Sequence, residues 1–379
     1  MQNDLAGLLV VAVEQAVAAP YATSRLADAG ARILKIERPG TGDFARHYDR
    51  YVKDQSTHFV WLNRGKESVC IDLKTLDDRR LLETMIGAAD VFIQNLKPGA
   101  LARVGLDSDA LRAKFPKLIT CDISGFGEDG PRAHLKAYDL IVQAETGLCS
   151  ITGNPDGPSR VGVSVCDIAA GMNAHAAILQ ALIARERTGR GRGIKVSLFD
   201  SVADWMNVPI LQYLYSDKKV ERCGVAHPTI APYAAYTCAG GEKLIFAIQN
   251  EREWVQLCEQ FLEMPELTID PRFADNPARV ENRKVLDEIL ADRFRRLIVD
   301  QACEALEGIG IAYGRLNELA EAARHPHLRF MDVPTPAGDI KVIAPSAVQC
   351  GDGLEVRPVP SLGEHTEAIR LEFAEEVTV

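Results

Sequence analysis

The chain has 379 residues, 47% of them apolar and 25% charged, which is the make-up of an ordinary globular protein long enough for two domains. Its formal net charge of −10 argues against nucleic acid or an anionic membrane as the main partner, although an anionic small molecule needs only a local basic pocket. Nine cysteines, at positions 70, 121, 149, 166, 223, 238, 258, 303 and 350, show no C-x-x-C or paired spacing. That argues against a zinc or disulfide framework and points to reduced thiols in a cytoplasmic protein with no metal site.

Along the chain, no Lys or Arg precedes Arg25, so a signal-peptide n-region is missing, and the apolar run Leu8–Ala19 is too short and is broken by Glu14. Gly7–Val13 reads as a buried strand, followed by a helix through Ala29 and a second strand over Ala31–Glu37. This opening predicts a parallel sheet of the nucleotide-binding type, but the Gly-x-Gly-x-x-Gly loop of a dinucleotide site is missing. The loop Arg38–Asp43 follows the strand's carboxyl end, where open sheets bind ligands. Asn63-Arg-Gly-Lys66 reads as a solvated hairpin corner before a strand over Ser68–Leu73. A helix over Arg79–Ala88, a strand over Asp90–Gln94, the loop Asn95–Gly99 and a strand over Leu118–Ser124 complete the repeat.

The stretch Val161–Gly171 organises the rest. Val161, Val163 and Val165 alternate as in a half-buried strand, and Ala169-Ala-Gly-Met-Asn-Ala favours a tightly packed helix. Asp167 sits at this junction, where its ordinary role is an N-cap. Arg185–Gly193 lacks Walker spacing and reads as a turn with solvated arginines before a strand over Ile194–Phe199. A helix over Asp200–Ser216 follows. Gly224, Pro228 and Pro232 mark a linker. The expected organisation is a large α/β domain over 1–220, a smaller α+β domain over 221–328, and a returning tail over 329–379. Within the small domain, a strand is expected near Lys243–Ile248 and helices over Glu251–Leu262, Val280–Leu297 and Val299–Gly308.

Ala18-Ala-Pro20, Lys35-Ile-Glu-Arg38, Gly42-Asp43, Asn63-Arg-Gly-Lys66, Gln94-Asn95, Pro98-Gly99, Ser124-Gly-Phe-Gly127, Gly130-Pro131, Asp167 and Arg187-Thr-Gly-Arg-Gly191 recur in order over most of the chain. This ordered set resembles the family III CoA-transferases, the group that includes formyl-CoA transferase, CaiB-like proteins and α-methylacyl-CoA racemase. The resemblance implies that Asp167 is the nucleophile that attacks an acyl-CoA thioester, passing through a mixed anhydride and an enzyme–CoA thioester. Coenzyme A is then a substrate, and no permanently bound cofactor is implied. CoA contacts carry over to Val17, Ala18, Arg38, Ile71, Asp72, Lys74, Asn95, Leu96, Lys97, Arg103 and Lys136. Val17 stands where formyl-CoA transferase has Gln, so any role there rests on backbone atoms.

Racemases of this group use a His–Asp pair where this chain has Tyr138-Asp139, and a Tyr with a pKa near 10 is a poor shuttle at neutral pH. Racemisation and acyl-CoA binding without transfer are the alternatives weighed. Gly42-Asp-Phe-Ala-Arg46, Phe59–Glu67, Lys136–Asp139, Ala226–Tyr233 and Gln249–Trp254 are similar to the subgroup handling mesaconyl, itaconate and citramalate substrates. A second carboxylate then needs a cation or amide donor, with Arg46, Arg64 and His227 as candidates and Tyr138 beside them. The family implies a Rossmann-like large domain built from both chain ends and a homodimer of interlocked subunits.

Overall fold

The computed structural model describes residues 4–216, 220–347 and 356–375. Cys350 and parts of the returning tail lie outside the described residues. The chain divides into two compact units, one of Met1–Cys149, Arg160–Leu211 and Arg329–Val379, the other of Ser150–Ser159 and Gln212–Leu328.

The first unit is built on a six-stranded sheet of β1 (Leu9–Val13), β2 (Arg32–Glu37), β3 (Lys66–Cys70), β4 (Val91–Gln94), β5 (Ile119–Ser124) and β6 (Gly193–Ser197). The spatial order is β3-β2-β1-β4-β5-β6 and every neighbouring pair is parallel. A parallel sheet is covered on both faces, so its strands are apolar on both sides. Val10 and Ala12 point into a core with α1 (Ala18–Asp28) and α4 (Val165–Thr188), while Val11 and Val13 point to α2 (Leu76–Ala88) and the C-terminal helix through Ile369 and Phe373. The order reverses between β1 and β4, and such a switch point opens a crevice at the carboxyl ends of the strands.

Helix α4 is the one described helix long and apolar enough, by length and composition, to cross a membrane. In this fold its Ala169, Ala170, Ala174, Ile178 and Ala181 are buried against α1. At Gly171 a Cβ would lie 2.6 Å from the Ala18 carbonyl oxygen and 2.9 Å from Tyr21 Cβ, so the two helices touch backbone to backbone. Only glycine allows that approach.

Several local expectations are corrected. Residues 161–164 form a turn rather than a strand, and Val163 is 58% exposed; Gly162 breaks the extended run and helix α4 begins at Val165 with Ser164 as N-cap. Asp167 is therefore in the first helical turn and not the cap. Asn63–Lys66 is no solvated hairpin corner. Strands β2 and β3 run parallel, Asn63, Arg64 and Lys66 are buried, and the Lys66 ammonium donates to Glu14 Oε1 at 2.7 Å and to the Pro20 carbonyl. Strand β3 ends at Cys70, and β6 ends at Ser197, whose hydroxyl accepts the Asp200 amide and starts a helix at Leu198. The expected helix over Asp200–Ser216 is two helices, Leu198–Ala203 and α5 (Asn207–Tyr215). Arg185 is not solvated in a turn: it lies within α4 and pairs with Asp90 at 2.9 Å, while Arg187, Arg190 and Arg192 are exposed.

The second unit carries an antiparallel sheet of β7 (Tyr233–Thr237), β8 (Lys243–Ala247) and β9 (Ala312–Arg315), with β8 in the middle. Helices Arg283–Phe294 and Val299–Gly308 pack on it through Leu286, Leu290, Phe294, Val299, Ala302 and Leu306.

Candidate active site

Loops at the carboxyl ends of β1, β4 and β5 meet at the switch point and enclose a cleft of about 460 Å³. Gln15–Ala18 comes from β1, Asn95–Pro98 from β4 and Ser124–Gly125 from β5, with Phe44, Tyr48, His58, Leu135–Leu140, Arg160, Ser164 and Asp167 completing the wall. A second cleft of about 350 Å³ lies at the ends of β2 and β3, lined by Arg38, His47, Ile71, Asp72 and Lys74. Gln15, Phe44 and Leu96 belong to both walls, so the two clefts share a rim.

The rim is held in an unusual shape. Ala16 has a φ of +63°, a left-handed conformation that costs a non-glycine residue on the order of 1–3 kcal/mol. Asp43 Oδ1 accepts the Ala16 amide at 3.0 Å, and the Asn95 side chain bridges both the amide and the carbonyl of Gln15. Asp43 is itself fixed by a buried ionic network. Its Oδ2 accepts from the Lys35 ammonium at 2.9 Å, and Lys35 and Lys66 both donate to Glu14, all with side chains 0% exposed. Burial pushes the Glu14 carboxyl up, but the Lys66 and Lys35 charges overcome it and hold it below its ordinary value. Beside this network Glu37 is held near 2 against burial, by hydrogen bonds from Arg46 and the charge of Lys35.

Asp167 stands alone by comparison. Among the described residues its carboxylate has no hydrogen-bond or ion-pair partner, although Lys97, Lys136 and Arg160 line the same cleft. Burial, followed by the nearby Asp139 charge, pushes its pKa from 3.8 up to about 7. Asp139 is positioned by the entry to α4: its Oδ1 accepts the Cys166 amide at 2.7 Å, and its Oδ2 accepts from Gln143 Nε2 at 2.6 Å. Gln143 is fully buried and its Oε1 accepts the Val161 amide at 2.8 Å. The 161–164 turn, α3 (Asp139–Glu145) and the first turn of α4 are thus tied into one frame. Burial and the Asp43, Asp167 and Tyr138 charges push Tyr48 up to about 12, so its phenol stays a donor at neutral pH. An unpaired carboxylate sharing a cleft with a protonated phenol is suited to nucleophilic attack on an ester-like carbonyl.

The sequence candidates divide among these places. Val17, Ala18, Asn95, Leu96, Lys97, Lys136 and Tyr138 line the cleft of Asp167, with Tyr138 61% exposed. Arg38, Ile71, Asp72 and Lys74 line the second cleft. Arg103 lies on an exposed one-turn helix and lines neither. Arg46 lines neither as well: its guanidinium pairs with Glu37 at 2.7 Å and stacks over Phe59 at 3.6 Å. Arg64 is buried against Asp28 and the Trp61 carbonyl. His227 belongs to the second unit, where it stacks on Tyr233 at 5.4 Å and its Nδ1 accepts the Thr229 amide. Phe44, Tyr48, His58 and Arg160 were not singled out by sequence reasoning. Phe44 and Tyr48 follow β2 within or beside the turn-rich loop, which was the available signal; His58 and Arg160 carried none.

Comparison with known proteins agrees with this geometry. A model of CoA-transferase family III matches residues 5–366. The chain is 37% identical over 372 residues to the acetyl-CoA:oxalate CoA-transferase of Acetobacter aceti, covering 97% of this chain and 95% of that protein. It is 35% identical over 376 residues to the succinyl-CoA:glutarate CoA-transferase of Mus musculus, covering 97% and 86% respectively. The crystal structure of a CAIB/BAIF family protein from Brucella suis matches with a TM-score of 0.84 at 34% identity, covering 98% of this chain and 100% of that one. The chain belongs to CoA-transferase family III.

Proposed function

We propose that the protein moves CoA between an acyl-CoA thioester and a small dicarboxylic acid, of four or five carbons, through covalent intermediates on Asp167. The observation that carries this reading is the unpartnered Asp167 carboxylate in a cleft that shares a rim with a second cleft, whose lining includes Arg38 and Lys74. Arg38 and Lys74 supply phosphate-pairing charge there, and the thioester arm reaches over the rim toward Asp167. Both transferases named above act on dicarboxylic acids by name, which supports the acid class.

In the first step an Asp167 oxygen attacks the thioester carbonyl, the C–S bond breaks, and a mixed anhydride and CoA thiolate result. The thiolate attacks the Asp167 carbonyl carbon of the anhydride, releasing the donor acid and leaving an aspartyl–CoA thioester. An acceptor carboxylate then attacks this thioester, expelling thiolate, which attacks the new acyl carbonyl and frees Asp167. Each step exchanges one acyl bond for another, so the thioester's free energy is carried through. Tyr48 and the backbone at Ala18 and Gly125, which line the cleft, are assigned here as donors to the tetrahedral oxyanions. Racemisation lacks support here, because Tyr138 offers no base at the position a His would occupy.

A homodimer is part of the proposal. Its support is α5, in which Val208, Leu211, Tyr213, Leu214 and Tyr215 are each 50% or more exposed, an apolar surface of the kind that marks an interface.

The test is to incubate the protein with an acyl-CoA and then hydroxylamine, and to map the product by mass spectrometry. The reading expects a hydroxamate on Asp167 and no transfer by Asp167→Ala. Full activity of Asp167→Ala, with Asp167 unmodified in the native chain, sinks it.

A further inference from the structure

We infer that Arg160 receives the distal carboxylate of the acyl group and so sets a preference for dicarboxylic over monocarboxylic acids. The inference rests on the transferase reading above and adds the residue that selects the acid.

The cleft of Asp167 contains three permanent cations, Lys97, Lys136 and Arg160, and among the described residues none of them is in an ion pair. Lys97 adjoins Leu96 on the rim shared with the second cleft, which places it on the CoA side. Arg160 is not on that rim; it directly precedes the 161–164 turn that leads into α4. Its Nε donates to the Val161 carbonyl at 3.1 Å and its Nη2 to the Gly162 carbonyl at 2.7 Å. Those two bonds orient the guanidinium plane. Of its five N–H groups, both on Nη1 and one on Nη2 are left without a protein acceptor among the described residues.

The turn that carries this fork is immobilised from behind by Gln143, which accepts the Val161 amide and donates to Asp139, the acceptor of the Cys166 amide. The guanidinium and Asp167 therefore belong to one frame, and the spacing between them is fixed by the turn. A planar fork with free donors matches a carboxylate with two parallel bonds, which a flexible ammonium cannot do. An acid bound through one carboxylate at Asp167 reaches Arg160 with its second. A monocarboxylic acid instead turns an alkyl end toward the guanidinium, displacing its water without replacing the hydrogen bonds.

The experiment measures kcat/KM for CoA transfer from one acyl-CoA donor to glutarate and valerate, and to succinate and butyrate, pairs of equal length. The full chain is used as wild type, Arg160→Gln and Arg160→Lys, with products read by mass spectrometry and folding checked by thermal melt. The ratio of dicarboxylic to monocarboxylic kcat/KM is expected to fall about 10- to 100-fold in Arg160→Gln. Arg160→Lys is expected to fall in between, since it keeps charge and loses the fork. A wild type that prefers dicarboxylic acids, with the same ratio in Arg160→Gln, overturns the assignment of Arg160 and leaves the transferase reading intact. A role limited to bracing the turn lowers all four rates together and gives that same unchanged ratio. A wild type that transfers to none of the four acids, or favours the monocarboxylic ones, overturns the functional reading and this inference with it.

Discussion

The protonation of Asp167 gives the most direct handle on the chemistry. A rise from 3.8 to about 7 corresponds to on the order of 4 kcal/mol favouring the neutral carboxyl over the carboxylate. The positive end of α4 acts the other way by about 0.3–1 kcal/mol and cannot cancel it. Attack on a thioester needs the carboxylate, so trapping of the acyl group should grow about tenfold per pH unit and level off above about 7. At about pH 5 only about 1% of Asp167 is ionised, which sets the rate about 100-fold below its plateau. Burial is the larger cause of the rise and Asp139 the smaller. Asp139→Asn should therefore lower the midpoint by less than half of the rise, to between about 5.5 and 7. The assay is single-turnover acylation followed by hydroxylamine quench, from about pH 4.5 to 8.5, in wild type and Asp139→Asn. A flat wild-type profile, or a midpoint that climbs in the variant, refutes the reasoning.

The same raised pKa has a sign for stability. The folded state holds the Asp167 proton more tightly than the unfolded chain, so its contribution is present below about 3.8 and is lost as the pH rises through about 7. Asp167→Asn should stabilise the protein against unfolding more at about pH 8 than at about pH 5, by up to a few kcal/mol; an equal gain at both pH values contradicts this. In the buried network, Lys35→Met leaves Asp43 without its ammonium partner and leaves Glu14 with Lys66 alone. Urea unfolding at neutral pH should show a loss of about 3–5 kcal/mol, and a loss under about 1 kcal/mol would mean the network is not fully charged.

Much of the scaffold was legible because parallel strands buried on both faces are runs of Val, Ile, Ala and Leu, as in Leu9–Val13 and Ile119–Ser124. Helix Val299–Gly308 lies where its apolar spacing put it. The failures share a physical origin. Val161, Val163 and Val165 alternate like a strand, but the backbone there is held by Gln143, some twenty positions earlier, and no local pattern encodes that. Asn63–Lys66 has the composition of an exposed turn, yet its lysine is neutralised by Glu14 at the end of β1, across β2. Arg46 looked available to a substrate, but Glu37 and Phe59 already occupy it. Asp167 itself is legible through an ordered set of motifs rather than its surroundings, and Arg160, exposed between Ser159 and Val161, has nothing in the chain to single it out.

The missing side chain at Gly171 has a consequence for how this protein can diversify. Because α1 and α4 meet backbone to backbone there, the Ala18 amide and the Asp167 carboxylate sit on two bars bolted together. Neither bar can be shimmed outward by a larger residue without prising the joint apart. Room for a different acid must come from the panels around them, the segments carrying Phe44, Tyr48 and His58, Leu135–Tyr138 and Arg160. A mutational library aimed at new acids should therefore concentrate on those panels and leave the joint untouched.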